Sequence, residues 1–148
     1  MAKVLSEVLA GRKIVPQPFD ATIMQVAVPL VLPAAITAND LLELIDLPPG
    51  VDLVDYDILS PQLDSNGSPT AAFSLGSENA GGTDLGVVYE AGLTFGRTAN
   101  GSVSRAGTAA HLAADKSVAR RLALKVTTGA ATYAGSGKTL VAVLHLRG

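Results

Sequence analysis

The chain has 148 residues, enough for one domain with a core of its own. It contains no cysteine and no tryptophan, and aromatic residues make up 4% of it. These values exclude disulfides and thiolate metal sites, and they argue against the aromatic platforms on which sugars or single-stranded nucleic acids stack.

The formal net charge is −2, but the charges are unevenly distributed. Residues 1–13 hold three bases and one acid, residues 14–96 hold eleven acids and neither Lys nor Arg, and residues 97–148 hold eight bases and one acid, Asp115. A chain split this way either neutralises itself by pairing acidic strands with basic ones or presents opposite charges on opposite surfaces, which favours contact with neighbouring subunits. Direct nucleic-acid contact is not expected, because the basic third is poor in aromatics. The apolar run at residues 23–36 is broken by Gln25, Pro29 and Pro33 and falls short of a membrane helix. Glu7 sits between Lys3 and Arg12, a poor signal peptide. A soluble protein made in the cytoplasm is expected.

In chain order, residues 1–20 predict an arm. Val4, Leu5, Val8 and Leu9 fit one face of a short helix ending at Gly11. Arg12 and Lys13 follow, and Pro16-Gln-Pro18 enforces extension. So short a helix is not stable alone, so it must dock on its own domain or on a neighbour; a disordered start is the other reading. Residues 21–148 form the domain.

Residues 22–32 predict a strand in which Pro29 removes a ladder donor, the mark of an edge or a bulge. Residues 40–47 fit either period; the short span between turns favours a strand, stopped by Pro48-Pro49-Gly50. Residues 51–59 predict a strand with Val54, Tyr56 and Ile58 facing inward and Asp55 and Asp57 outward. A turn at 64–67, a short strand at 70–75 and a loop at 79–83 come next. Residues 85–95 fit a helical turn or an irregular crossover, and residues 102–111 a polar strand. Residues 120–128 alternate, with leucines on one face. Residues 139–146 are apolar up to His145, as if buried on both faces, and a Gly-rich loop at 129–137 joins them to the preceding strand as a hairpin. Seven or eight short strands between turns predict an all-β sandwich or barrel.

Motifs for chemistry are weak. Gly135-Ser-Gly-Lys-Thr139 imitates a phosphate-binding loop, but Thr132 stands where its first glycine belongs and β-branched residues follow where a helix should open. Asp52, Asp55 and Asp57 lack the closing Glu and loop of a calcium site. His111 has only Asp115 at helical spacing, and His145 lies in an apolar strand. No catalytic residue, metal site or cofactor is expected, and the protein is not expected to be an enzyme.

Asp40-Leu-Leu-Glu-Leu-Ile-Asp-Leu-Pro-Pro-Gly50, Val51-Asp-Leu-Val-Asp-Tyr-Asp-Ile-Leu59, Thr70-Ala-Ala-Phe-Ser-Leu-Gly76 and the apolar pair at 122–146 form a pattern of strands and turns. Over residues 21–148 this pattern resembles the cement, or decoration, proteins of tailed-bacteriophage capsids. The polar run at 100–110 and the charge split have no match there. The resemblance implies a jelly-roll-like β-sandwich with an extended N-terminal arm, on the outer surface of the virion. Its partners would be the phage major capsid protein and itself, as a dimer or trimer, with no membrane contact. It would bind across capsid subunit junctions and brace the head against packaged DNA. Our own inference from the apolar pattern and the prolines makes Val4, Leu5, Val8, Leu9, Arg12, Lys13, Pro16 and Pro18 the contact residues of the arm. The alternative is a sugar-binding-like β-sandwich module of a fibre or secreted protein.

Overall fold

The computed structural model describes residues 1–15, 22–98 and 108–148, together with the backbone of 101–105. Nine strands make up two sheets: β1 (Lys3–Leu5), β2 (Ile23–Val31), β3 (Leu41–Leu47), β4 (Asp52–Ser60), β5 (Ala72–Glu78), β6 (Leu85–Leu93), β7 (Gly101–Arg105), β8 (Arg120–Thr128) and β9 (Thr139–Arg147). One sheet has the order β1-β3-β8-β5-β6 and the other β2-β9-β4-β7. All pairings are antiparallel except β1 with β3. Every connection except β5–β6 passes from one sheet to the other, so the two ends of the chain interleave as in a jelly roll. A 3-10 turn (Phe95–Arg97) and a one-turn helix, α1 (Ala109–Leu112), lie in the connections flanking β7.

The inner faces bury the alternating aliphatics. Val26, Val28 and Leu30 of β2 meet Leu140, Ala142, Leu144 and Leu146 of β9, and Leu122, Leu124 and Val126 of β8 face them from the other sheet. Phe73 is fully buried and stacks on Phe95, ring centroids 4.7 Å apart.

Several expectations change against this frame. The C-terminal strands are not a hairpin: β8 and β9 lie in different sheets. β9 is buried on one face only; Val141, Val143 and His145 are half-exposed on the other. In β4 a register shift between Leu53 and Asp55 turns Leu53 inward and leaves Val54 half-exposed. Residues 85–93 form a strand, not a helical turn, and the bulges along its pairing with β5 are what hid its alternation. Gly76 of β5 makes that pairing possible, since a Cβ there would lie 2.1 Å from the Val87 carbonyl oxygen. The polar strand predicted over 102–111 splits into β7 and α1. Pro29 does mark an edge, for β2 is the outermost strand of its sheet.

One end of the sandwich is organised by a carboxylate. Asp64 is fully buried. Its Oδ2 accepts backbone N–H bonds from Thr70 (2.8 Å), Ala71 (3.2 Å) and Ala131 (2.9 Å). Its Oδ1 accepts from Asn66 (3.2 Å) and Thr132 (3.0 Å). Burial alone would raise this carboxyl, but the N–H bonds, led by that from Thr132, hold it far below the usual carboxylate range. The β4–β5 and β8–β9 crossovers are thereby tied together.

Phe73→Ala should cost about 3–5 kcal/mol in urea unfolding, since a stacked, fully enclosed ring leaves a cavity. Asp64→Asn should lower Tm at pH 7 by an amount on the order of 10 °C. Because the native carboxyl is depressed, its stabilisation is present above the unfolded value of about 3.9 and is lost as pH falls towards the native one. The gap in Tm between the wild type and Asp64→Asn should therefore narrow below about pH 4, as thermal melts across pH would show.

Candidate functional site

The arm starts as a strand, not as the helix its apolar spacing suggests. The free edge of β3 supplies the reason. The Leu41 N–H donates to the Ala2 carbonyl (2.9 Å) and the Ser6 N–H to the Glu43 carbonyl (2.9 Å), so residues 3–5 gain a ladder that an isolated turn of helix lacks. Ser6 is buried; its hydroxyl donates to the Leu44 carbonyl and accepts from the Leu9 N–H (3.2 Å). Turns then carry residues 7–13 across to β2, where the Glu7 N–H (2.9 Å) reaches Pro29 and the Lys13 ammonium (2.8 Å) reaches Ala27, each at the backbone carbonyl. Gly11 ends the turn with φ at +77°, as its sequence position suggests. The arm so far as it is described closes one long side of the sandwich, bridging β3 of one sheet and β2 of the other.

The predicted contact residues divide accordingly. Val4 and Val8 are partly buried against the chain's own core. Leu9 is half-buried, and Leu5 is 44% exposed. Arg12 points outward and pairs with Glu7 through Nε (2.7 Å) and Nη2 (2.8 Å). Pro16 and Pro18 lie outside the described residues. Ile14, which the sequence reading passed over, is 94% exposed.

A buried charge cluster fixes the arm's first strand, and sequence reasoning missed it. The Glu43 side chain is 1% exposed; the Lys3 ammonium lies 2.7 Å from its Oε1 and the Arg121 guanidinium 3.3 Å from its Oε2. Lys3 also reaches Glu78 (3.5 Å), and Arg121 clamps Asp46 (2.6 Å). Burial would raise the Glu43 carboxyl, but hydrogen bonds from Lys3 and Glu78 hold it below the usual range. Glu78 is pushed up by burial and then by Glu43, so of the two it is the one that holds a proton more readily. Glu43 raises Lys3 in turn. At the chain start the Ala2 N–H donates to Asp40 Oδ1 (2.8 Å). A signal was available: a carboxylate set in Leu41-Leu-Glu-Leu-Ile45 needs a partner once that strand is buried.

The charge split largely closes on itself. Asp46 and Glu43 pair with Arg121, Asp84 with Lys125 (2.7 Å), and Asp52 with Lys116 (3.0 Å) and Arg147 (3.1 Å). Asp55 faces His145 Nδ1 across β4 and β9. Of the aspartates at 52, 55 and 57, Asp52 and Asp55 thus go to different partners, and the bulge at Val54 separates them. Among the described residues no three His, Asp or Glu converge on a metal position. The phosphate-loop imitation leads into β9, not a helix, and packs Gly135 so tightly that a Cβ would lie 2.8 Å from the Tyr133 ring. Among the described residues no aromatic ring is exposed: Tyr56, Phe73, Tyr89 and Phe95 are buried, and Tyr133 is half-buried, its hydroxyl donating to the Pro33 carbonyl (2.8 Å). Stacking on sugar rings has no platform there. Among the described residues no helix is long and apolar enough to cross a membrane.

No family model and no curated protein matches the chain. Solved structures do match it. A chain from the capsid of Ralstonia phage GP4 superposes over 99% of this chain and 97% of its own length, with a TM-score of 0.84 and 26% identity. A chain from the cyanophage Pam1 capsid asymmetric unit matches over 92% of each, with a TM-score of 0.61 and 21% identity. The second likeness speaks for the fold alone. The β-sandwich of this chain is therefore one found in phage capsids, and a structural, capsid-related role is what the likeness to the GP4 chain supports.

Proposed function

We propose that this chain is a capsid cement protein: a dimer or trimer that sits on the outer surface of a phage head, binds the major capsid protein across subunit junctions and braces the shell. One observation carries the reading, the superposition at TM-score 0.84 over nearly the whole of both this chain and a GP4 capsid chain. The chemistry is consistent with it, because paired charges and a closed core leave the described surface to contact rather than catalysis. Stapling of this kind needs only modest interfaces, since several copies engage the shell together.

The arm, residues 1–20, is the proposed contact element. Its outward residues are Leu5, Arg12 and Ile14, while Val4 and Val8 serve the chain's own core. Deleting the arm would therefore open one side of the sandwich, and point changes at its outer face are the cleaner probe. The full chain, mixed with expanded heads lacking it, should pellet with them in a fixed ratio. A Leu5→Ser/Ile14→Ser double variant should keep its urea midpoint and bind about 10–100-fold more weakly, the loss expected when one or two buried aliphatic contacts are removed. If the wild type stays in the supernatant, the cement reading fails. If the variant binds as well as wild type, the contact lies on the sandwich faces and not on the arm. Sedimentation equilibrium of the free protein reads the oligomer, and a monomer would remove that part of the proposal.

A further inference from the structure

The side of the sandwich opposite the arm is closed by α1. One turn of helix has no independent stability, so what holds it is its docking. The Thr108 hydroxyl caps the turn by accepting the His111 N–H (3.1 Å) and donates to the Tyr89 carbonyl on edge strand β6. The His111 ring lies against Tyr89, centroids 5.2 Å apart. Ala114 packs on the core, while Leu112 is 63% exposed. Two side chains, Thr108 and His111, thus carry most of the attachment.

His111 is 2% exposed, and neither ring nitrogen has a hydrogen-bond partner. A proton added there would place a charge in a buried site where the Leu53 backbone offers only partial compensation. The groups around it do little to compensate. Asp52 of β4 would favour the cation, but its carboxylate is already shared between Lys116 and Arg147. Lys116 and Arg120 oppose it. Asp115 is turned to Ser117, and Tyr89 and Glu90 are the titratable groups that β6 brings to this side.

We propose that α1 is an acid-released cover on the β6 edge, with His111 as the group whose protonation releases it. The imidazole takes its proton from solvent and leaves the Tyr89 face. α1 follows, and the Tyr89 carbonyl is bared beside Val87 and Val88, which are already 40% and 44% exposed. Burial, partly offset by the Leu53 backbone and Asp52, holds the imidazole below its ordinary value of 6.5. The sign follows: α1 is held fully above about pH 6.5 and is lost progressively as pH falls from there towards the native value. This inference stands on the geometry of α1 and does not depend on the capsid reading.

Amide hydrogen exchange on the full chain tests it. Between pH 7.5 and 5.0, after correction for intrinsic rates, protection over residues 85–93 should fall by about ten-fold more than over residues 120–128, within the roughly thirty-fold ceiling that one decade per pH unit below 6.5 sets for a single group. His111→Phe, which keeps a ring on Tyr89 but cannot titrate, should abolish that difference. An unchanged wild type, or a loss that persists in His111→Phe, overturns the proposal. Should that variant not fold, an NMR titration of the wild type decides instead: an imidazole midpoint below 6.5 with the 108–112 amide signals losing their native shifts over the same pH range upholds the proposal, and a midpoint at or above 6.5, or one that leaves those amides unmoved, overturns it.

Discussion

The jelly roll depends on one carboxylate at the end where its crossovers meet. A sandwich in which nearly every connection changes sheets needs something to hold those connections in register, since each loop alone has few apolar side chains to anchor it. Asp64 does this by accepting five backbone N–H groups from two crossovers that are far apart in sequence. Leu63 and Asp64 in turn donate their own N–H groups to the Gly96 carbonyl, which brings in the 3-10 turn after β6. Three connections are thereby fixed around residues 63 and 64, two of them by the Asp64 side chain, and the inner faces of both sheets can meet without frustration between loop and core.

Electrostatics does the complementary work on the sheet that carries the arm. The chain keeps its acids and bases in separate thirds, and the interleaved topology brings them back together as cross-strand pairs. Most of these pairs are exposed and each contributes little. Glu43 differs because it is buried. Removing Lys3 would leave its charge with Arg121 alone, at the longer distance, which makes the cluster a device for placing β1 in one register more than a source of stability.

Much of the architecture was legible because it follows from alternation. Leu122, Leu124 and Val126 declare the inner face of β8, the short span before Pro48 favours a strand for β3, and Pro29 declares an edge. What was not legible depends on partners remote in sequence. The apolar spacing of Val4, Leu5, Val8 and Leu9 is helical, and only the vacant edge of β3 makes it a strand. A ten-residue gap suits a hairpin or a crossover equally well, so nothing local separates β8 from β9. Bulges in β4 and β6 shift the period by one residue and mislead any reading of faces. Asp64 resembles an ordinary turn residue because all its partners are main-chain groups. The candidate contact site was legible only as an apolar arm; how its residues divide between inward and outward required the fold.

A sandwich has four sheet edges, and bare edges recruit strands from other molecules. Here two of those edges are occupied by structure that offers no continuing ladder: the turns at 7–13 lie along β2, and α1 lies along β6. Neither segment is a strand, so neither presents a new edge to the next copy. Strand addition through those two edges is thereby disfavoured. The irregular segments, which contribute least to the regular architecture, limit the chain's uncontrolled self-association.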